Sequence, residues 1–271
     1  MHEHREQYPN APLAIVTAEI RLGYEPAVKS DEARDKFAAT VRDMLPVLSN
    51  EQSMTVTLQG PDGVPQVTQQ PQIRATTVDG KATVALNPSS LSLSMDGTSY
   101  TRYSTSLGPL MEHVVRALHD VAPSAVVERV GIRYIDEVRP PDAPEDIQGW
   151  STWICSDLLA ASRALPSAPA RGFQSSTTFH PTPDRTVVFN CGRFEGVTVV
   201  DPALPFGRKK GSPSSMFVLD VDSAWTPAGY TLLDATHLAE VLNDLHQPAN
   251  TLFEWAITEE ARIIFRGPKD A

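Results

Sequence analysis

The sequence predicts an α+β fold of two similar halves, residues 1–124 and 125–271, each running strand, helix, about four strands, helix. An antiparallel sheet packed on helices, forming one compact unit, accommodates that order. Three observations predict it. Apolar residues alternate at period two through many short segments, the pattern of strands with one buried face. Fewer segments repeat apolar residues at helical spacing. The order of elements then starts again near residue 125.

Residues 13–22 open the pattern, with Val16, Ala18, Ile20 and Leu22 alternating with Thr17, Glu19 and Arg21. Ser30 is placed to cap a helix whose first turn holds Asp31 and Glu32, where the helix dipole favours anions. Ala33, Phe37, Val41, Met44, Leu45 and Leu48 carry the helical spacing to about Pro46. Strands are expected at 54–59, 73–78, 82–86, 91–95 and 99–103, with Asp79-Gly80 and Asp96-Gly97 as tight hairpin turns. Leu107, Leu110, Met111, Val114, Val115, Leu118 and Val121 then predict a helix that Pro123 stops.

The second half leads with a long strand over 126–138, keeping Val130, Ile132 and Tyr134 on one side. Ile147, Trp150, Ile154, Leu158 and Leu159 predict a helix over 146–161. Strands follow near 173–179, 186–191, 196–200 and 216–222. A helical stretch over 234–257 is interrupted by Pro248, which lacks an amide donor. The leading strands share Ile20-Arg21 and Ile132-Arg133 at comparable places. A fused hot-dog-like or helix-grip-like arrangement fits this order by fold analogy.

The 271 residues carry 33 acids against 23 bases, a formal charge of −10. That balance repels phosphate backbones and weighs against nucleic acid as a partner. Two cysteines, Cys155 and Cys191, make no disulfide scaffold and suit a reducing cytoplasm. No apolar run approaches the ~20 residues of a membrane helix. The first eight residues lack the apolar core of a secretory leader. Many of the 23 prolines punctuate connections, as in Pro181-Thr182-Pro183-Asp184.

Phosphate-binding glycine loops and a G-x-S-x-G nucleophile turn are absent from the sequence. His113 and His119 stand six apart, about 240° around a helix, so they cannot share a metal. Neither a metal nor a cofactor is expected. Asp220 and Asp222 point the same way along a strand, as hard-cation ligands do, but Phe217, Leu219 and Val221 between them mark an ordinary half-buried strand with a polar outer face. Cys191 reads as a buried, inert thiol. Arg208, Lys209 and Lys210 form a basic loop patch, either an anion contact or solvated charge. Arg21 and Arg133 lie opposite the apolar stripes of the two leading strands. If those strands are neighbours, the guanidiniums could share a carboxylate or phosphate ligand; otherwise each pairs with an acid such as Glu19 or Glu137.

Asn10-Ala11-Pro12-Leu13 leading to Glu19-Ile20-Arg21, then Glu128-Arg129-Val130-Gly131-Ile132-Arg133-Tyr134-Ile135-Asp136, carry a resemblance. So do Phe217-Val218-Leu219-Asp220-Val221-Asp222, Leu242-Asn243-Asp244-Leu245-His246 and Phe253-Glu254-Trp255-Ala256-Ile257-Thr258-Glu259. In order along nearly the whole chain, they resemble an uncharacterised, sporadically distributed bacterial family of similar length. The alanine- and proline-rich stretch 160–171 departs from it. The resemblance implies no reaction, cofactor or catalytic residue. Sporadic distribution implies accessory genes, in defence or stress response.

With no catalytic constellation in view, the expected function is a non-catalytic binding or adaptor protein, its partner a protein or a small anionic ligand. A homodimer is the default oligomer. The alternative is an enzyme, such as a thioester hydrolase or dehydratase on a fused hot-dog-like fold. A pocket holding one desolvated acid, or His113, His119 or His180, would mark it.

Overall fold

Period-two alternation over residues 13–22 becomes strand β1 (Leu13–Leu22), which buries Val16, Ala18, Ile20 and Leu22 on one side. The computed structural model describes residues 6–59, 64–165, 167–199, 206 and 214–267, with the backbone alone for 54–59 and 64–68. Helix α1 (Asp31–Val41) begins where Ser30 Oγ accepts the Ala33 amide at 3.1 Å. It stops at Val41, short of Pro46, and closes in a turn whose Met44 and Leu45 amides donate to the Val41 carbonyl at 3.2 and 2.9 Å. Leu48, spaced as if helical, lies in strand β2 (Val47–Gln59).

Strands β3 (Val64–Thr76), β4 (Ala82–Asn87) and β5 (Ser90–Asp96) complete the first half. Asp79-Gly80 joins β3 to β4, with Gly80 at φ 71° and Asp79 Oδ1 accepting the Lys81 amide at 3.0 Å. Asp96-Gly97 does not form the second hairpin. Asp96 Oδ1 accepts the Thr98 amide at 2.9 Å and caps a 3-10 turn over Gly97–Ser99, so the strand expected at 99–103 is absent. Gly97 is required by proximity, since a Cβ there would stand 1.8 Å from the Leu13 carbonyl oxygen. The β4–β5 turn is instead closed by Asn87, whose Oδ1 accepts the Ser89 and Ser90 amides. A π-helical turn at Tyr103–Leu107 leads into α2 (Gly108–Val121).

Strand β6 (Val126–Val138) has the expected limits, but the helix expected over 146–161 does not form. Two 3-10 turns, Gly149–Thr152 and Ala160–Arg163, replace it. Ile147, Trp150, Ile154 and Leu159 are buried all the same. Tertiary bonds take the place of helical ones: the Cys155 amide donates to the Ala256 carbonyl at 2.7 Å and the Thr258 amide to the Trp153 carbonyl at 3.1 Å. Strands β7 (Gln174–Thr182), β8 (Arg185–Gly196) and β9 (Ser214–Trp225) follow, with the two-residue β10 (Thr231–Leu232). No separate strand starts at 196, because β8 runs through to Gly196. The second half thus lacks the helix expected over 146–161 and the separate strand expected near 196–200, among the described residues.

The predicted break at Pro248 is present: α3 (Ala235–Leu245) ends before His246, and α4 (Gln247–Ala256) carries Pro248 in its first turn, where its missing donor costs nothing. Helix α5 (Glu259–Arg266), not foreseen, is capped by Thr258. Among the described residues no helix is long and apolar enough to cross a membrane.

All neighbouring strands are antiparallel, in the order β2-β3-β4-β5-β1-β6-β9-β8-β7, with β10 beside β6. This is a mixed α and β architecture dominated by one ten-stranded sheet. Strands β1 and β6 meet at its middle. Buried residues of all five helices join one core with Ile20, Leu93, Ile132, Leu219 and their same-face neighbours. The opposite face carries no helix among the described residues. Phe206 covers part of it, packing on Ile15 beside Ile135.

Candidate functional site on the helix-free sheet face

Between the two register shifts that end the β1–β6 ladder, the odd-numbered residues 15–21 of β1 and 129–137 of β6 share the helix-free face with the even-numbered residues of β9, as the pairings Thr17 with Arg133 and Arg133 with Asp222 require. Arg133 reaches diagonally to Asp220. Its Nε and Nη2 donate to the two carboxylate oxygens at 2.7 Å each, the fork geometry that suits a carboxylate. Arg129 Nη2 donates to both oxygens of Asp222 at 3.0 Å, and its Nη1 approaches Glu19 at 3.5 Å. Glu19 also accepts from Arg21 Nε at 3.2 Å. Gly131 makes room for this, since a Cβ there would lie 2.5 Å from Arg129 Nη1.

The leading strands are neighbours, but Arg21 and Arg133 do not converge. Arg21 pairs with Arg129 across the strands and Arg133 with Thr17, leaving the two about 13 Å apart along the sheet. Arg21 takes Glu19 as its partner, whereas Arg133 takes Asp220; Glu137 holds Arg139 at 3.0 Å. Arg74 with Glu51 adds a further pair on this face. These five guanidiniums face five carboxylates, so among the described residues these pairs leave no excess charge on the face to attract phosphate. Asp220 and Asp222 are committed to arginines, and among the described residues no group of three or more His, Cys, Asp or Glu could hold a metal. Arg208, Lys209 and Lys210 lie outside the described residues.

Beside the Arg133–Asp220 pair opens a recess of about 390 Å³, lined by Gln174, Ser176, Asn190, Phe194, Val218 and Asp220, with Ser175 and Cys191 at its margin. Amides, a hydroxyl and a carboxylate alternate there with two apolar surfaces. Such a lining hydrogen-bonds in both directions and orients a polar ligand. Burial pushes the Cys191 thiol up to about 11, so it stays protonated and poorly nucleophilic.

On the opposite, helix-covered face lies Asp136. Burial, and next the charge of Asp220, push its carboxyl up to about 7. It neighbours Tyr134, whose hydroxyl is 3.0 Å from that of Tyr100. Tyr103 stacks on His246 at 4.6 Å in the same layer. The other histidines are dispersed: His113 meets the Thr40 carbonyl and Asp43, His180 meets Thr186, and His237 edges Trp225. Sequence reasoning missed Arg129, although the period that exposes Arg133 also exposes residue 129. Glu128, Asp136 and Glu137 read from the sequence as surface carboxylates that spacing alone cannot select, whereas the structure buries Asp136.

Comparison with protein-family models and with curated proteins finds no match for this chain.

Proposed function

We propose that the chain is a non-catalytic binding or adaptor protein of an accessory bacterial system, working in the cytoplasm and holding its ligand against the helix-free sheet face. The observation that carries this reading is the recess beside Arg133 and Asp220, where fixed polar groups stand ready around an open volume. The ion pair with Arg133 holds the Asp220 carboxylate in place before any ligand arrives, which lowers the ordering cost of binding. The resemblance to a sporadically distributed bacterial family supports an accessory role in defence or stress response. Balanced charge on the face and the net charge of −10 favour a polypeptide or small polar molecule over nucleic acid. Native mass spectrometry of the protein purified from its own host tests the reading. Expected is a non-covalent companion that Asn190→Ala with Asp220→Ala releases while the fold persists. A companion retained by that double variant would contradict it.

The two halves are proposed to descend from one duplicated module of helix-grip-like form. In each, the first strand pairs with the last long strand of its own half, β1 with β5 and β6 with β9, and the first strands meet at the centre. That arrangement supports the reading even though the second half lacks the helix expected over 146–161 and the separate strand expected near 196–200, among the described residues.

Asp136 favours the enzyme alternative, because a desolvated carboxyl is what a thioester hydrolase or dehydratase uses as acid or base. It faces the helices rather than the recess, pairing across the strands with Leu219, and is 7% exposed. Binding is therefore the better-supported reading.

A further inference from the structure

Strand β7 ends the sheet, and all nine of its residues are exposed. The Arg193 amide donates to the Phe173 carbonyl at 3.0 Å, which fixes the hydrogen-bonding phase of the β7–β8 ladder. By antiparallel alternation, Ser175, Thr177 and Phe179 bond to β8, while the N–H and C=O groups of Gln174, Ser176 and Thr178 point away from the sheet. Natural edges are usually blunted by charge or proline. From Phe173 to His180 this one has no Lys, Arg, Asp, Glu or Pro.

The two faces beside this edge differ. On the helix-free face, Gln174 and Ser176 border the recess that contains Asn190 and Asp220. On the other face, Phe179 is 42% exposed and Trp255 of α4 is 47% exposed, with buried Phe189 between them; Trp255 meets Phe189 edge-on at 6.4 Å. A strand laid along β7 would send alternate side chains to these two surfaces.

We propose that the β7 edge captures an extended polypeptide segment as an additional strand, one whose side chains alternate between apolar and amide- or hydroxyl-bearing. Main-chain hydrogen bonds to Gln174, Ser176 and Thr178 supply affinity, and the recess and the Phe179–Trp255 surface supply specificity. Charge argues against a second copy as occupant, since each copy brings a net charge of −10. A second β7 would also offer only Ser175 and Thr177 hydroxyls to much of the apolar side. This inference rests on the binding reading above and names its partner.

Panning a displayed library of random dodecapeptides on the intact protein tests it, followed by amide hydrogen exchange with the best peptide bound. Expected are selected sequences of alternating apolar and polar residues, and slowed exchange at Gln174, Ser176 and Thr178. Ser176→Pro removes an outward donor and leaves the β8 ladder intact, so it should weaken the peptide at least about tenfold. Phe179→Ser, which leaves the backbone unaltered, should weaken it several-fold, with circular dichroism checking the fold of both variants. Peptides that slow exchange around Arg129 and Arg133 instead would overturn the edge proposal and leave the binding reading standing. So would a small companion in native mass spectra with no peptide selected. Concentration-dependent slowing at Gln174, Ser176 and Thr178 without peptide would also overturn it, by assigning the edge to a second copy.

Discussion

Arg133 and Asp220 meet through two hydrogen bonds of 2.7 Å, joining the central strand β6 to its neighbour β9 on the helix-free face. The pair is uneven: the Arg133 side chain is 51% exposed and that of Asp220 11%. The arginine is therefore the solvated partner of a nearly buried carboxylate. Asp220 in turn faces the recess, so the pair fixes the electrostatics of the proposed site.

Arg133→Met should destabilise the fold by about 1–2 kcal/mol, because the nearly buried carboxylate loses its counter-charge, while the exposure of Arg133 keeps the loss below that of a fully buried pair. Urea unfolding of the single variants and of Arg133→Met with Asp220→Leu measures it. The double variant should recover part of the loss. A single variant as stable as the parent would show that the pair has no structural weight.

Asp136 makes stability depend on pH. Its folded pKa of about 7 lies above the ordinary 3.8, so the native state binds a proton that the unfolded chain releases. Stability is therefore fully present below the ordinary value and declines as pH rises toward about 7. Asp136→Asn removes this dependence, and should gain on the parent by roughly 2–4 kcal/mol above pH 7. Thermal unfolding across that range would contradict the assignment if the two proteins kept a constant difference.

Two glycines should respond differently to alanine. At Gly131 the added Cβ meets the flexible end of Arg129, so the fold should persist with a loss of about 0.5–1 kcal/mol and Arg129 displaced from Asp222. At Gly97 it meets the Leu13 backbone at 1.8 Å, which cannot yield without moving β1. Gly97→Ala should cost several kcal/mol, of order 3 or more. Equal melting temperatures for the two variants would contradict this account.

Legibility followed the range of the interactions. Strands β1 and β6 were readable to the residue, because one-sided burial writes period two directly into Val16–Leu22 and Val130–Tyr134. Ser30 and Pro248 marked helix boundaries through purely local chemistry. The region over 146–161 misled because Ile147, Trp150 and Ile154 are buried at helical spacing, yet their backbone is held by the carbonyls of distant residues such as Ala170 and Ala256. Asp96-Gly97 misled because aspartate caps a helical turn as readily as it opens a hairpin. The site was legible as a polar face but not as pairs: Arg133 bonds diagonally to Asp220, and that step depends on strand register, which no local pattern records.

The central claim is that a ligand occupies the helix-free face beside Arg133 and Asp220. Hydrogen exchange on the protein with its native companion bound, and again after its removal, tests this most directly. The account predicts slower exchange on the companion-bound protein in β7, β8 and β9 around Ser176, Asn190 and Asp220. Protection confined to α2, α3 and the surroundings of Asp136, together with chemical turnover of the companion, would contradict it.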